Sequence, residues 1–384
     1  MLCLAACKRE VVPERERYLN DRAFRREVLE ASLANHDNTY SRQRLSSYAL
    51  PSGGWDALPE WNPVVRGAPL WDGQTPKTQA EWEALGRRVF FDYPLRAEPL
   101  VEFAATRPEL SAQVGLQRDA RGDAPGVVAF TDIDGKSRLG ITCALCHATV
   151  VDGEVVPGQA RRTFDYGTLR LQFHAETNTR VDERLAARMK TWGPGRADVT
   201  EDDDEDPVAI PDLWGLREQS FFTQAGTIRH VSPTALAIRQ ETQLLHSNHE
   251  RVRPPRVLAW ALAQYLYSLT PAVKAPPAGP GLALFRRGCA ECHSNAVYGG
   301  EPVDAARIGT DLALANGAAR GTGRYRPPAL IRIGAGAPYL HHGAVATLEE
   351  LFDPARLEKV PGHAYGTDWP AEDRAALVAW LKAL

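Results

Sequence analysis

The chain has 384 residues, room for two or three domains at about 100–200 residues each. Hydrophobic residues make 44% and charged residues 24%, an ordinary globular composition, and a formal charge of −3 argues against a nucleic-acid partner. No run of about 18 apolar residues occurs, so no segment reads as a membrane-spanning helix.

The N-terminus reads "MLCLAACKRE". Leu4-Ala5-Ala6-Cys7 resembles a bacterial lipoprotein processing site, with Cys7 as the lipidated residue; a chance run of small residues ending in Cys is the alternative. Too few residues precede Cys7 for a complete signal segment, so a longer precursor is expected. Lipoprotein modification supplies more than one acyl chain, which stable anchoring requires. Residues 8–75 carry no readable motif.

The first predicted helix lies in "TPKTQAEWEALGRRVFF", with Thr75 as cap and Pro76 at its first position. Trp82, Leu85, Val89 and Phe90 share one side of it. An insert of 52 residues separates Phe90 from Cys143 and contains "VVAFTDIDGKSRLGIT", where Asp134-Gly135 between short apolar runs predicts a β-hairpin.

"TCALCHAT" follows at 142–149, and "GCAECHSN" repeats its pattern at 288–295. Cys143, Cys146, Cys289 and Cys292 account for four of the six cysteines, which leaves no disulfide framework. Cys-x-x-Cys-His is the pattern of covalent c-type haem attachment. Two thiols become thioethers to the porphyrin, and the adjacent imidazole, His147 or His293, becomes the proximal iron ligand. Zinc and a redox disulfide are the rival readings of Cys-x-x-Cys. Zinc leaves the repeated His unexplained and requires motifs 146 residues apart to meet. Two covalently bound haem c groups are therefore expected. Such attachment takes place outside the cytoplasm, in agreement with the lipoprotein signal, so a periplasmic, lipid-anchored protein is expected.

A second large insert runs from about 148 to 254. Beyond it "PPRVLAWALAQYLYSLTP" is helical by its apolar pattern, and "WPAEDRAALVAWLKAL" repeats it at the C-terminus, Tyr265-Leu266-x-x-Leu269 matching Trp380-Leu381-x-x-Leu384. Gly86-x-x-x-Phe90 and Gly281-x-x-x-Phe285 match in the same way, and a glycine one turn before an aromatic admits a second helix closely. The expected fold is mainly α: two cytochrome c-like haem domains in tandem, the first enlarged by long loops and a small β-hairpin. The boundaries are 1–75 for the leader and unassigned segment, 76–270 for the first haem domain, 271–281 for the linker and 282–384 for the second haem domain.

This layout resembles the bacterial di-haem cytochrome c peroxidase superfamily, which includes the MauG-like proteins and the rubber oxygenases. "LGRRVFFDYPL" is similar to that family's opening helix. "YRPPALIRIGAGAPYLHHGAVATLEELFDP" is similar to its Pro-Tyr-x-His-(Asp/Asn)-Gly segment, carried here by Pro338, Tyr339, His341 and Gly343, followed by Thr347, Leu348 and Glu349. The resemblance implies a C-terminal haem that receives electrons and an N-terminal haem that meets peroxide or oxygen. It implies a small redox donor such as a monohaem cytochrome c or a cupredoxin, and hydrogen peroxide as substrate. The weighed alternatives are a non-enzymatic di-haem electron carrier and a MauG-like or oxygenase activity on an organic or protein substrate.

The distal ligands depart from the peroxidase pattern. The only methionines are Met1 and Met189, so the late Met of those enzymes is missing. His363, in "KVPGHAYGTDW", stands in the equivalent stretch and is the expected distal ligand of the second haem; His341 and His342 are weaker candidates. A histidine there lowers the potential relative to methionine. For the first haem His174 fits best in order, with Met189 and His230 behind it and an iron without protein distal ligand also open. His246 and His249 read as a solvated face.

The stretch 210–233 is the expected wall of the first haem pocket, with Trp214 either core packing or an electron relay between haems. Glu176, Gln224, His230 and Glu241 are unranked candidates for a catalytic base. Arg161, Arg162, Arg196 and Arg239 are candidates for pairing propionates. The acidic run 201–206 suits a solvated loop or, as a lesser reading, a calcium site.

Overall fold

The computed structural model describes residues 12–198, 207–269 and 278–384; Cys7, the acidic run 201–206 and linker residues 271–277 lie outside them. The chain is mainly helical with small sheets. Among the described residues no helix is long and apolar enough to cross a membrane.

Helices α1 (Glu14–Asn20), α2 (Arg22–Ser32) and α3 (Thr39–Ala49) occupy the stretch in which the sequence shows no motif. Asp21 and Asn38 start α2 and α3 by accepting the amides of Phe24 and Ser41. Helix α4 (Gln79–Asp92) starts at Thr78, not at Thr75. The Thr78 hydroxyl accepts from the Glu81 amide while the Glu81 carboxylate accepts from the Thr78 amide, so two orphan donors are satisfied at once.

The predicted hairpin is present as β4 (Val127–Thr131) and β5 (Ser137–Ile141). It is the middle of a five-stranded antiparallel sheet, flanked by the short β1 (Val64–Val65), β2 (Ala68–Pro69) and β3 (Arg96–Ala97) in the order β2-β1-β4-β5-β3. Two-residue strands are too short to show an alternating pattern, which is why only the hairpin is readable. Helices α5 (Pro99–Ala105) and α6 (Pro108–Gln113) lead to α7 (Ala144–His147), the single turn that carries the first motif. Hairpin β6 (Ala148–Val151)–β7 (Glu154–Pro157) follows, then α8 (Tyr166–Glu176), α9 (Glu183–Trp192) and the antiparallel pair β8 (Arg196–Asp198)–β9 (Pro207–Ala209). Helices α10 (Pro233–Ser247) and α11 (Arg256–Ser268) close this part. Helix α12 (Pro280–Gly288) and the C-terminal helix Ala371–Leu381 frame the second motif.

Helix α11 is buried on all sides from Leu258 to Ala263, as expected of a helix apolar around its circumference. α4 crosses one side, and α1 and α10 cover others; the Tyr18 ring lies 5.5 Å from that of Trp260. Tyr18, Phe24, Val28, Leu29, Tyr40, Tyr48 and Trp55 therefore belong to the same hydrophobic cluster as α4, α10 and α11. A polar tie runs beside it. Arg256 pairs with Glu241 at 3.2 Å and with Asp56 at 2.5 Å, Asp56 also pairs with Arg25 at 2.8 Å, and Glu241 accepts from the Tyr18 hydroxyl at 3.0 Å. A separate cluster from Leu284 to Leu381 surrounds the second motif.

Both helix pairs make the same close crossing. A Cβ on Gly86 would overlap the Ala261 carbonyl oxygen and come within 2.6 Å of Tyr265 Cβ. One on Gly281 would overlap Trp380 Cβ and come within 2.6 Å of the Ala376 carbonyl oxygen. Phe90 packs on Tyr265 at 5.5 Å and Phe285 on Trp380 at 4.8 Å between ring centroids. Glycine, aromatic, partner aromatic and the residue one turn before it correspond in both crossings. Gly86→Ala and Gly281→Ala each force the paired helices apart, with an expected loss of about 1–3 kcal/mol, measured as a lower urea midpoint.

Candidate functional site

The first motif is held by its own backbone and by one buried cation. The His147 amide donates to the Cys143 carbonyl at 3.1 Å, and the His147 carbonyl accepts from Gly158 at 2.8 Å. Arg161 is fully buried; its Nε donates to the Ala148 carbonyl at 3.0 Å and its Nη2 to the Pro125 carbonyl at 2.8 Å. Burial without a carboxylate partner pushes its pKa down to about 10. It clamps the turn and strand on either side of His147. Arg162 is taken up by Asp212 in a two-pronged pair, both contacts at 2.9 Å.

The His147 ring is oriented by one bond: Nδ1 lies 3.0 Å from the Pro211 carbonyl oxygen. A carbonyl only accepts, so Nδ1 carries the proton and Nε2 keeps its lone pair. Burial pushes the imidazole pKa down to about 4, so it is neutral at neutral pH. His293 repeats the arrangement, with Nδ1 2.7 Å from the Tyr298 carbonyl oxygen and its pKa lowered by burial. His293 also has the Pro328 main chain as a hydrogen-bond neighbour, a contact that His147 lacks among the described residues. A main-chain acceptor on Nδ1 is an arrangement that orients a metal-ligating histidine.

The thiols do not look like a redox pair. Burial raises the Cys143 pKa to about 12 and that of Cys289 to about 11, opposite to the depressed values of reactive Cys-x-x-Cys motifs. Among the described residues no three His, Cys, Asp or Glu side chains converge on a metal position, and the two motifs do not meet. A zinc site therefore has no geometry here. The acidic run considered for calcium lies outside the described residues.

A cavity of about 190 Å³ opens beside the second motif. Cys289, Cys292 and His293 line it, with Phe285, Leu330, Leu348 and Phe352 as apolar walls, and His363 and His341 also face it. His363 Nδ1 is buried without a hydrogen-bond partner among the described residues. Burial is the largest cause of its lowered pKa, about 4, and the neighbouring His293 adds to it. His363 has φ +49°, a left-handed conformation that a non-glycine residue keeps only under constraint. Arg356 supplies that constraint by donating to the carbonyls of Leu351, Val360, Gly362 and His363 at 2.7–3.2 Å. His341 stacks on Tyr325 with centroids 4.0 Å apart. Its backbone carbonyl accepts from Ala209 at 2.8 Å, so the "PYLHHG" segment seals the two halves together.

Residues 211–219 run as a strap between the motifs. Pro211 holds His147, Leu213 donates to the Gly158 carbonyl at 2.8 Å, and the Trp214 indole donates to the Pro157 carbonyl at 3.3 Å. Arg332 of the second half lies 4.5 Å from the Trp214 ring centroid. The Glu218 carbonyl accepts from the Asn295 side chain at 2.9 Å, and Asn295 shapes the turn that presents the Tyr298 carbonyl to His293. The stretch 210–233 thus serves both motifs rather than walling the first alone. Gln224 lines the second cavity, and Phe222 joins the main core.

The remaining expected residues scatter. His174 sits on α8, which shares a cluster with Leu145 and Cys146, and its Nδ1 is buried without a partner among the described residues. Met189 is buried in α9. His230 opens on a separate polar cleft with Arg217 and Tyr267; its Nδ1 bonds the Gln219 carbonyl at 2.8 Å and its Nε2 the Tyr267 hydroxyl. Glu176 is exposed at 3.8 Å from Arg107, and Glu241 is consumed by Arg256 and Tyr18, so neither carboxylate is free to serve as a base in a pocket. His246 is largely covered and faces Glu250 at 3.2 Å, not solvated as expected, while His249 is exposed. Arg196 is half-buried against Gly343, and the charge of Arg239 reaches Cys143 and His147. The Pro211 and Tyr298 carbonyls and the Arg161 and Arg356 clamps have no signal in the sequence, since each depends on main-chain atoms brought from elsewhere.

No protein-family model matches this chain, and no curated protein matches it. Among solved structures, that of a MauG-like protein associated with microbial copper homeostasis superposes with a TM-score of 0.33 at 19% identity, over 50% of this chain and 78% of that one.

Burial pushes the His341 pKa down to about 3, against about 6.5 in the unfolded chain. Below pH 6.5 the unfolded chain takes up a proton that the fold refuses, so stability falls as pH drops from there toward 3. His341→Phe keeps a ring on Tyr325 and removes the titration. The loss of urea stability between pH 7 and 4.5 should be smaller in the variant than in the parent.

Proposed function

We propose that the protein is a di-haem c-type cytochrome oxidoreductase that reduces hydrogen peroxide with electrons from a small redox donor. The observation that carries this reading is the shared orientation of His147 and His293. Each donates Nδ1–H to a main-chain carbonyl, directly after a Cys-x-x-Cys pair whose half-buried thiols have raised pKa values. Cys143 and Cys146 would hold one haem and Cys289 and Cys292 the other, through thioethers, with His147 and His293 as axial ligands. The apolar cavity beside Cys289 and Cys292, with the orphaned Nδ1 of His363 buried on it, would suit a flat, largely apolar cofactor that His363 would help to hold. Bound haem supplies a one-electron centre and, where an axial position is free, a place for peroxide to be reduced.

The protein's own residues do the rest. Pro211 and Tyr298 fix the imidazole tautomers, and Arg161 and Arg356 hold the backbone that carries His147 and His363. Trp214, anchored on Pro157 and covered by Arg332, is the proposed electron relay, with core packing as its alternative role. The acid–base residue for peroxide is not assigned to Glu176 or Glu241, whose carboxylates are engaged elsewhere. The donor is proposed as a monohaem cytochrome c or a cupredoxin, in the periplasm, with Cys7 as lipid anchor.

One observation favours a second reading. His174 offers a buried, unpaired Nδ1 from a helix that packs in one cluster with Cys146. Ligation from His174 would fill both irons and make the protein an electron carrier.

Low-temperature EPR of the oxidised and half-reduced protein, before and after peroxide, separates the two. A high-spin ferric signal lost on peroxide addition is expected for the enzyme; two low-spin haems inert to peroxide in both states would instead establish the carrier. His363→Ala should convert the second haem toward high spin with covalent attachment intact, and an unchanged spectrum would remove His363 from the site.

A further inference from the structure

The second cavity holds an unbalanced charge. Arg326 lines it, in the "YRPP" stretch to which the sequence assigns no role. Its Nε donates to the Thr223 carbonyl at 3.0 Å and its Nη1 to the Gln219 side-chain oxygen at 2.9 Å. Both acceptors are neutral, and among the described residues no carboxylate pairs with this guanidinium. Burial, its sole cause of shift, moves the pKa only to about 10, so the group stays charged at neutral pH. The other titratable side chains around the cavity do not offset it. The carboxylate in the cavity lining, Glu291, is engaged by Arg307 at 2.6 Å.

Arg326 is partly buried, and a cation withdrawn from water without a counterion is costly, so native folds pair such groups. Arg161 and Arg356 are also without carboxylates, but they donate to main-chain carbonyls and neither lines the second cavity. Arg326 differs in lining a cavity large enough for a ligand, with Nη2 uncommitted among the described residues. We infer that Arg326 is a positioning residue that pairs a carboxylate of the cofactor in the second cavity, a haem propionate. The inference rests on the haem reading above. It also gives the strap a second task, since Gln219 aims the guanidinium that meets the cofactor's charged edge.

Removing a cation beside a haem favours the ferric state, so the midpoint potential of the second haem should fall in Arg326→Gln. Arg326→Lys retains the charge and should retain most of the potential. Gln219→Ala removes only the aiming acceptor and should change the potential less than Arg326→Gln does. The experiment is a spectroelectrochemical titration of the full-length holoprotein and these variants, with covalent haem counted by mass. Equal potentials in the parent and Arg326→Gln, both carrying two haems, overturn this inference and leave the haem reading standing. A parent without haem on Cys289 and Cys292 overturns both. If Arg326→Gln does not accumulate, Arg326→Lys still decides through the propionate bending band in resonance Raman spectra. A shifted band is expected when the fork becomes a single ammonium, and an unmoved band overturns the pairing.

Discussion

The close crossing of two helices through a glycine is the constraint on which both halves depend. At Gly86 and Gly281 the partner helix comes so near that a methyl group would strike its backbone or its first side-chain carbon. Backbone contact at that distance fixes the crossing, and the aromatic one turn later, Phe90 or Phe285, fills the wedge against Tyr265 or Trp380. Each motif-bearing turn is then placed by the helix pair beside it: Cys289 is the residue that ends α12. In the first half the connection from α4 to the motif is long, and the five-stranded sheet spans it, with β5 ending two residues before Cys143.

The two halves are unequal because the first carries additional cover. Its C-terminal helix α11 is apolar all round and needs a second layer, which α1, α2 and α10 provide. The Arg25–Asp56–Arg256–Glu241 tie locks that layer to α11 with buried charges of both signs. Such a network specifies how the N-terminal helices dock more than it adds net stability, because desolvation offsets much of the attraction. The C-terminal helix of the second half has an exposed face instead and needs no such layer.

Three arginines, two of them buried and Arg326 partly so, divide the labour around the motifs. Arg161 and Arg356 act as main-chain clamps, each reaching several carbonyls that loops leave unpaired. Arg326 ties the strap to the second cavity and keeps a formal charge there. The strap itself orders events spatially. Its first residue, Pro211, sets the His147 ring, and its last residues meet the turn that sets the His293 ring.

By itself the sequence determined what is local or covalent. The two Cys-x-x-Cys-His turns, the helices around Gly86 and Gly281, the matched α11 and C-terminal helix, and the hairpin at Asp134-Gly135 all follow from spacing, periodicity and turn chemistry. The start of α4 shows the limit of that reading, since Thr75 before Pro76 reads as the cap and the reciprocal bond with Glu81 sets the start at Thr78 instead. Tertiary structure alone decided the rest. It consumed Glu241 in a buried tie, took His230 to a separate cleft, split residues 210–233 between both motifs and turned His363 onto the second cavity. It also supplied the Pro211 and Tyr298 carbonyls that orient the two imidazoles. The physical reason is that carbonyl acceptors are the same in every residue type. Which one meets a given imidazole or guanidinium is set by the path of the backbone, and no residue spacing records that path.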